Sequence, residues 1–144
     1  MSLTAVERHD VVVYRIDRAN NTLEEAKNNV AFKYWSLIAN RLYYAAYYAI
    51  SALLVANGHM PKSHEGTIQL FGLHFVNEGI VPKEMGRLVR KLFKCRLTGD
   101  YSDNYDLTED DVMPLFEPTE QLVSLASSMA RQAISAEHNT TNTL

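Results

Sequence analysis

The chain contains few cysteines, prolines and glycines, the residues that cross-link a fold or end its helices. It has one cysteine, Cys95, so no disulfide can form within one chain and a reducing, cytoplasmic location is expected. Only 4 prolines and 6 glycines occur in 144 residues, and they cluster between long uninterrupted segments. No apolar run approaches the roughly 20 residues of a membrane-spanning helix, so no membrane partner is expected. The N-terminal segment also lacks the basic and apolar stretches of a signal peptide.

Charge of either sign is nearly balanced over the whole chain. The formal net charge is −3, which excludes a whole-chain field that would demand a nucleic-acid or membrane partner. Hydrophobic residues make up 47% of the chain, enough for one core without staples. We therefore expect one domain over residues 1–137 and a disordered polar tail over residues 138–144.

Hydrophobic periodicity predicts two long helices in the first half of the chain. In the first, over about residues 5–29, apolar residues recur at steps of four and three: Val12, Ile16, Ala19, Leu23, Ala26 and Val30. The second, over about residues 34–57, is apolar or aromatic around almost its whole circumference, which is typical of a buried helix. Asn57-Gly58 supplies a stop signal, because glycine accepts the left-handed conformation that closes a helix.

The second half predicts shorter helices. One is expected over about residues 65–77, and the next from Pro82 to about residue 97, with Gly99 behind it. A polar loop over residues 100–107 leads to a capping arrangement at Thr108, and two prolines, Pro114 and Pro118, are expected to interrupt any regular helix there. A last helix to about residue 136 completes an all-α fold, an antiparallel up-and-down bundle of four to five helices.

The predicted fourth helix concentrates positive charge. It carries Lys83, Arg87, Arg90, Lys91, Lys94 and Arg96 against one acid, whereas residues 100–120 hold eight acids and no Lys or Arg. One interpretation is a basic groove for phosphate or RNA. The other is a solvated basic face, partly neutralised by the acidic segment.

Two groups of polar residues are candidates for a site. Arg96 and Asp100 are four residues apart and can pair across one turn, although helix stability alone would not favour an acid near the helix C-terminus. Tyr101 adds a phenol beside them. On the second helix, Asn40 and Arg41 need partners, because polar and charged groups on a buried helix must be satisfied. The competing interpretations are an ordinary ion pair with a packed tyrosine for the first group and core hydrogen bonds for the second.

Histidine and cysteine do not predict a metal site. His59, His64 and His74 match no compact ligand spacing, and no cysteine or acid cluster completes a set. His64, close to Ser63, can be a helix-entry residue or approach the Arg96 region in three dimensions. No Gly-rich phosphate loop, GxSxG elbow or HExxH motif occurs, so no cofactor is expected.

Several sequence blocks occur in a characteristic order. These are NRLYYAAYYAISALL from Asn40, KSHEG from Lys62, FGLHFVNEGIVPKEMGRLV from Phe71 and RLTGDY from Arg96. The series resembles the stand-alone prokaryotic HEPN-domain family over about residues 23–101. The resemblance implies a helical bundle, commonly a homodimer. It also implies a partner of a minimal nucleotidyltransferase in a toxin–antitoxin-like pair, or a metal-independent ribonuclease with an Arg-x(4–6)-His motif.

The chain departs from that motif at its histidine. Counting from Arg96, the expected positions hold Tyr101, Ser102 and Asp103. An unshifted aspartate is a poor general acid at neutral pH and tyrosine is a poor base. The first hypothesis is therefore a module that binds a nucleotide, RNA or a nucleotidyltransferase, with Arg96, Asp100, Tyr101, Asn40, Arg41 and His64 lining one cleft. The alternatives are an atypical HEPN ribonuclease toxin using His64, and a structural homodimer or adaptor without a ligand.

Overall fold

The computed structural model describes the backbone of residues 3–142 and the side chains of residues 3–137. Within that range there is no strand. The principal helices are α1 (Ala5–Asn28), α2 (Trp35–Ala56), α3 (His64–Phe71), α4 (Lys83–Tyr101) and α6 (Phe116–Asn142), with a single-turn α5 (Glu109–Val112) before the last. The predicted all-α bundle is confirmed. No helix of this range is long and apolar enough to cross a membrane.

Helix α2 is the central element, as its all-round apolar pattern predicts. It packs against α1, α4 and α6, and 14 of its 22 residues are buried. Its C-terminus closes as expected: Gly58 adopts φ 87°, its N–H donates to the Val55 carbonyl, and the His59 N–H donates to the Leu54 carbonyl. These two bonds form a Schellman motif, which satisfies carbonyls that the helix leaves free.

Helix α1 begins at a capping box and buries the predicted stripe. The Thr4 hydroxyl accepts from the Glu7 N–H while the Glu7 carboxylate accepts from the Thr4 N–H. Val12, Ile16, Ala19, Leu23 and Ala26 are buried, mainly against α2 and α6. The predicted stripe is therefore confirmed except at its last residue, Val30, which is half-buried and lies beyond α1 in a 3-10 helix (Val30–Phe32).

Helix α4 ends four residues later than expected. Gly99 does not stop it, because this glycine lies inside the helix where a side chain has no room: a Cβ there would lie 2.9 Å from the Leu107 side chain and 3.3 Å from the Ser36 Cα. Asp100 and Tyr101 are consequently the last two helical residues, and the predicted loop starts only at Ser102. Pro82 caps the start of α4 from just outside it.

The two prolines differ in their effect on the helix of their segment. Pro114 lies in a short 3-10 helix (Met113–Leu115) that interrupts regular helix between α5 and α6, as expected, whereas the expectation is wrong for Pro118, which is the third residue of α6. A proline in the first turn costs nothing, because its missing N–H would have no helical partner there. The Thr108–Asp111 capping box is present as predicted.

Two other segments differ from the expected helix bounds. The third predicted helix is α3 followed by a π-helical turn (Gly72–Val76), and Gly79 follows with φ 75°. The last helix continues from about residue 136 to Asn142, where no glycine or proline intervenes to end it, so residues 138–142 of the expected disordered tail are helical. Residues 143–144 of that tail lie outside the described range.

Candidate functional site

Arg96 and Asp100 form an ion pair that joins α4 to α2. Arg96 Nε donates to Asp100 Oδ2 at 3.2 Å, and Asn40 Nδ2 donates to the same oxygen at 3.0 Å. The two paired side chains are 15% and 25% exposed. Because α4 runs through Tyr101, the acid falls one turn after the arginine, and a single carboxylate oxygen fixes both the guanidinium and the α2 amide.

Aromatic rings surround the guanidinium of Arg96. Its Cζ lies 5.7 Å from the Tyr43 ring centroid, 5.4 Å from that of Tyr44 and 5.7 Å from that of Tyr101. A cation over an aromatic face is attracted by the ring quadrupole, more strongly where water is excluded. The rings and Asp100 together hold the guanidinium in one orientation.

His64 joins the same aromatic cluster from α3. The Ser63 hydroxyl accepts from the Gly66 N–H and so caps α3 next to this histidine. His64 Nδ1 is 2.7 Å from the Tyr43 hydroxyl, and its ring stacks on Tyr47 at a centroid distance of 4.4 Å. Burial, and secondarily the positive charge of Arg96, lower the pKa of His64. The imidazole is therefore neutral at pH 7.

A second arginine reaches the ion pair through Asn40. Arg41 donates to Asn40 Oδ1 from Nη2 at 2.6 Å and from Nε at 3.0 Å, while its Nη1 lies 3.4 Å from Glu25 Oε2. Its Cζ lies 5.4 Å from the Tyr44 ring centroid. The Asn40 amide thus accepts from one guanidinium and donates to the carboxylate that holds the other. Two cations share one hydrogen-bonded chain.

A family model for the HEPN domain matches residues 12–129. The chain belongs to the HEPN domain family. The match includes Pro114 and Pro118, so the C-terminal helices belong to this HEPN domain as much as the blocks around α2 and α4 do. The family identity predicted from the ordered blocks is confirmed.

Relatives of this HEPN protein occur in bacteria and archaea. A UPF0332 protein of Thermotoga maritima is 35% identical over 106 residues, which cover 74% of this chain and 80% of the relative. A protein of Methanocaldococcus jannaschii named as a putative toxin is 33% identical over 102 residues, covering 71% and 76%. A UPF0332 protein of Gloeobacter violaceus is 30% identical over 118 residues, covering 81% and 94%.

The HEPN fold brings together all six side chains singled out in the sequence. Five are linked directly: Arg96, Asp100 and Tyr101 on α4, with Asn40 and Arg41 on α2. His64 reaches them through the tyrosines. Tyr101 is 68% exposed, so its ring is not packed in the core as the competing interpretation of this tyrosine assumed.

The sequence alone did not assign the tyrosines of α2 to this site. The all-round apolar pattern of α2 gives Tyr43 no role in a site, yet its hydroxyl lies 2.7 Å from His64 Nδ1 and its ring flanks Arg96. Burial raises the pKa of Tyr43 far above its ordinary value, so this phenol stays protonated. The available signal is helical spacing, since Asn40, Tyr44 and Tyr47 follow one another at steps of four and three, and Tyr43 follows Asn40 by three residues. Ser51, which continues that spacing, is buried apart from the site and accepts from Arg15.

His59, His74 and Cys95 lie apart from this cluster. His59 and His74 stack on each other at a centroid distance of 4.2 Å. Within the described residues, no three His, Cys, Asp or Glu side chains come together as a metal site. Burial raises the pKa of Cys95, which keeps this thiol protonated and unreactive.

Proposed function

We propose that this HEPN chain is the nucleotide- or RNA-binding module of a toxin–antitoxin-like system, and that Arg96 receives a phosphate group. The observation that carries the proposal is the Arg96 guanidinium, 15% exposed and held in a cage of tyrosine rings. Within the residues whose side chains are described, its Nη1 makes no hydrogen bond. An oriented arginine with unused donors suits a phosphate oxygen.

The charges around Arg96 favour binding of an anion with defined geometry. Arg41 is linked to the same site through Asn40, so two guanidiniums are available. Asp100 neutralises one of these charges but points its hydrogen-bonding oxygen at Arg96 and Asn40, and therefore orients them. Tyr101, which is exposed, offers a ring on which a nucleobase can stack.

The His64 ring can serve this arrangement in either of two tautomers, because the Tyr43 hydroxyl can donate to Nδ1 or accept from it. With its hydrogen on Nε2, the ring can donate to a phosphate oxygen and cannot accept a proton from a 2′-hydroxyl, which suits binding. With its hydrogen on Nδ1, the ring presents a free Nε2 base, which suits cleavage.

The test is affinity for a fluorescent mononucleotide and for a short RNA, compared between wild type, Arg96→Ala and Arg96→Lys. A lost charge-assisted pair costs about 1.5–3 kcal/mol, so Arg96→Ala should weaken binding roughly 10- to 100-fold. Arg96→Lys keeps the charge but loses the planar fork, and should be intermediate. Arg131→Ala, an exposed arginine on α6, is the control. Unchanged affinity in Arg96→Ala, with an unchanged helical circular-dichroism signal, would contradict the proposal.

A second candidate function is metal-independent RNA cleavage. The specific observation in its favour is the lowered pKa of His64 next to Arg96, since a neutral imidazole is a general base when Nε2 is free of hydrogen. RNA cleavage in the presence of EDTA, lost in both His64→Ala and Arg96→Ala, would establish it. RNA that stays intact after incubation with an excess of the protein, together with unchanged growth of cells that express it, would exclude cleavage and favour binding.

Homodimerisation and a nucleotidyltransferase partner stay predictions from the family. Size-exclusion chromatography with light scattering tests the first, alone and with RNA at low and moderate salt. A dimer that persists in high salt without any anion affinity would favour the structural-adaptor alternative. Salt screens exposed charge pairs, so a dimer that survives high salt does not depend on them. Co-expression with a minimal nucleotidyltransferase tests the second.

A further inference from the structure

The outer face of α4 carries a row of cations that the Arg96 site does not use. Lys83, Arg87, Arg90 and Lys94 follow one another at steps of four, three and four, so they share one helix face. All four are exposed. Within the described residues none of their side chains makes a hydrogen bond or an ion pair, although α4 is followed by an acidic segment over residues 100–120. No acid of that segment forms an ion pair with the row.

The N-terminal half of this row lines a groove. A cavity of about 660 Å³ lies between α4, the end of α3 and the π-helical turn, and Lys83, Arg87 and Arg90 form its α4 side. Its opposite wall is apolar and amide in character, and no acidic residue lines it. Gly86 allows the close approach of the two walls, because a Cβ there would lie 3.2 Å from the Val76 methyl groups.

The groove continues along α4. A second cavity of about 530 Å³ shares Ile68 and Arg90 with the first and adds Lys94 and Leu97. One acid, Glu65, is among its lining residues. From Lys83 to Lys94 the helix rises about 16 Å at 1.5 Å per residue. The row therefore extends along the outer face of α4, whereas Arg96 points to the tyrosines of α2 on another face of the helix.

We infer that a single-stranded polynucleotide lies along this groove, with its phosphates on the α4 cations and its bases over the apolar wall. Cations one helical turn apart are spaced by about 5–6 Å, and they make repeated contacts with a linear polyanion rather than with one compact anion. An apolar wall suits unpaired bases, whereas a duplex would hide them. The inference deepens the proposed function, on which it rests for a polynucleotide ligand, and adds a second set of phosphate contacts on the outer face of α4.

The experiment measures the affinity of a fluorescent 12-nucleotide single-stranded RNA by anisotropy over a series of salt concentrations. The variants are Lys83→Ala/Arg87→Ala/Arg90→Ala, Arg87→Ala alone and, as the matched control, Arg131→Ala. Each lost phosphate contact lowers the slope of log K against log salt by about 0.7, so the triple variant should lose about 2 in slope and bind at least about tenfold more weakly at low salt. Arg131→Ala should match wild type. The same oligomer as DNA should show the same losses, since the groove reads the backbone.

The outcomes separate the groove from the Arg96 site. A triple variant with wild-type affinity and slope would overturn the groove, even if Arg96→Ala abolished binding and so upheld the proposed function. Weaker RNA binding in the triple variant, with mononucleotide affinity unchanged by Arg96→Ala, would uphold the groove and refute the phosphate-binding role proposed for Arg96. Equal losses in Arg87→Ala and Arg131→Ala would also overturn the groove, as would displacement of RNA by polyglutamate at equal charge. The four positions are exposed, so folding should be unchanged, which circular dichroism checks.

Discussion

Gly99 is the position where the packing of α4 against its neighbours can be tested most directly. It lies in the last turns of α4, three residues after Arg96 and next to Asp100. A Cβ at this position would lie 2.9 Å from Leu107 Cδ1, 3.2 Å from Ser36 Cβ and 3.3 Å from Ser36 Cα. The leucine end can rotate away, but the Ser36 backbone at the start of α2 cannot. The substitution Gly99→Ala therefore forces α4 away from α2.

Two effects of opposite sign determine the size of the change. Alanine favours a helix interior over glycine by about 1 kcal/mol. Overpacking costs about 1–3 kcal/mol, and the upper half of that range applies because a backbone atom is among the contacts. The expected net result is a loss of about 1–2 kcal/mol in the free energy of unfolding. The displacement also lengthens the 3.0 Å hydrogen bond from Asn40 to Asp100, so nucleotide affinity should fall with stability.

Urea unfolding followed by circular dichroism measures the loss. With a slope of about 1–3 kcal/mol per molar urea, the midpoint should fall by roughly 0.5–1 M. The fluorescence of Trp35, the single tryptophan and the neighbour of Ser36, reports the local displacement in the folded state. Gly72→Ala is the control, since a Cβ there meets no atom within 4 Å and the backbone is helical. A Gly99→Ala protein as stable as wild type, with unchanged Trp35 emission, would refute the close contact.

Three further predictions follow from the contacts described. His64 should titrate below its ordinary pKa of 6.5, so its contribution to stability is present above about pH 6.5 and is lost as the pH falls toward the lower pKa of the folded state. The variant Arg96→Gln should raise the pKa of His64 in an NMR titration. An unchanged pKa would exclude coupling of the two groups. Thr108→Ala removes half of a capping box and should lower the free energy of unfolding by about 1 kcal/mol in urea unfolding, whereas no loss would mean that the cap is not formed in solution. Lys33 has φ 58°, a conformation that glycine adopts without strain, so Lys33→Gly should raise the free energy of unfolding by about 0.5 kcal/mol in urea unfolding, and a clear drop would contradict the left-handed turn.

The sequence predicts the long helices well because their determinants are local. The stripe of α1 and the all-round apolar pattern of α2 each follow from 3.6-residue periodicity, and Gly58 ends α2 by a conformation that depends only on its neighbours. Gly99 resembles a second helix-ending glycine, but a glycine is required there for a different reason. Its small size is required by contact with Ser36 and Leu107, which lie far from it in sequence.

The candidate site likewise contains local contacts, which the sequence predicts, and long-range contacts, which it does not. Arg96, Asp100 and Tyr101 are close in sequence, so spacing alone suggests that they interact. The hydrogen bond of Tyr43 to His64 joins residues 21 apart, and that of Asn40 to Asp100 joins residues 60 apart. Only tertiary packing sets such pairs, so spacing places Tyr43 on the same side of α2 as Asn40 but does not predict its hydrogen bond to His64. The expectation for Pro118 is wrong because the effect of a proline depends on which turn of a helix it occupies.

The burial of α2 limits which substitutions around the Arg96 site the protein can tolerate. With 14 of its 22 residues buried, most substitutions on this helix alter the core before they alter the site. Asn40, Arg41 and Tyr44 are half-buried and hold the site wall from that same helix, so few of their neighbours can vary to compensate. The outer face of α4, by contrast, can exchange one cation for another at little cost in stability. New binding preferences in relatives of this chain are therefore expected to arise on α4 first, around an α2 wall that stays the same.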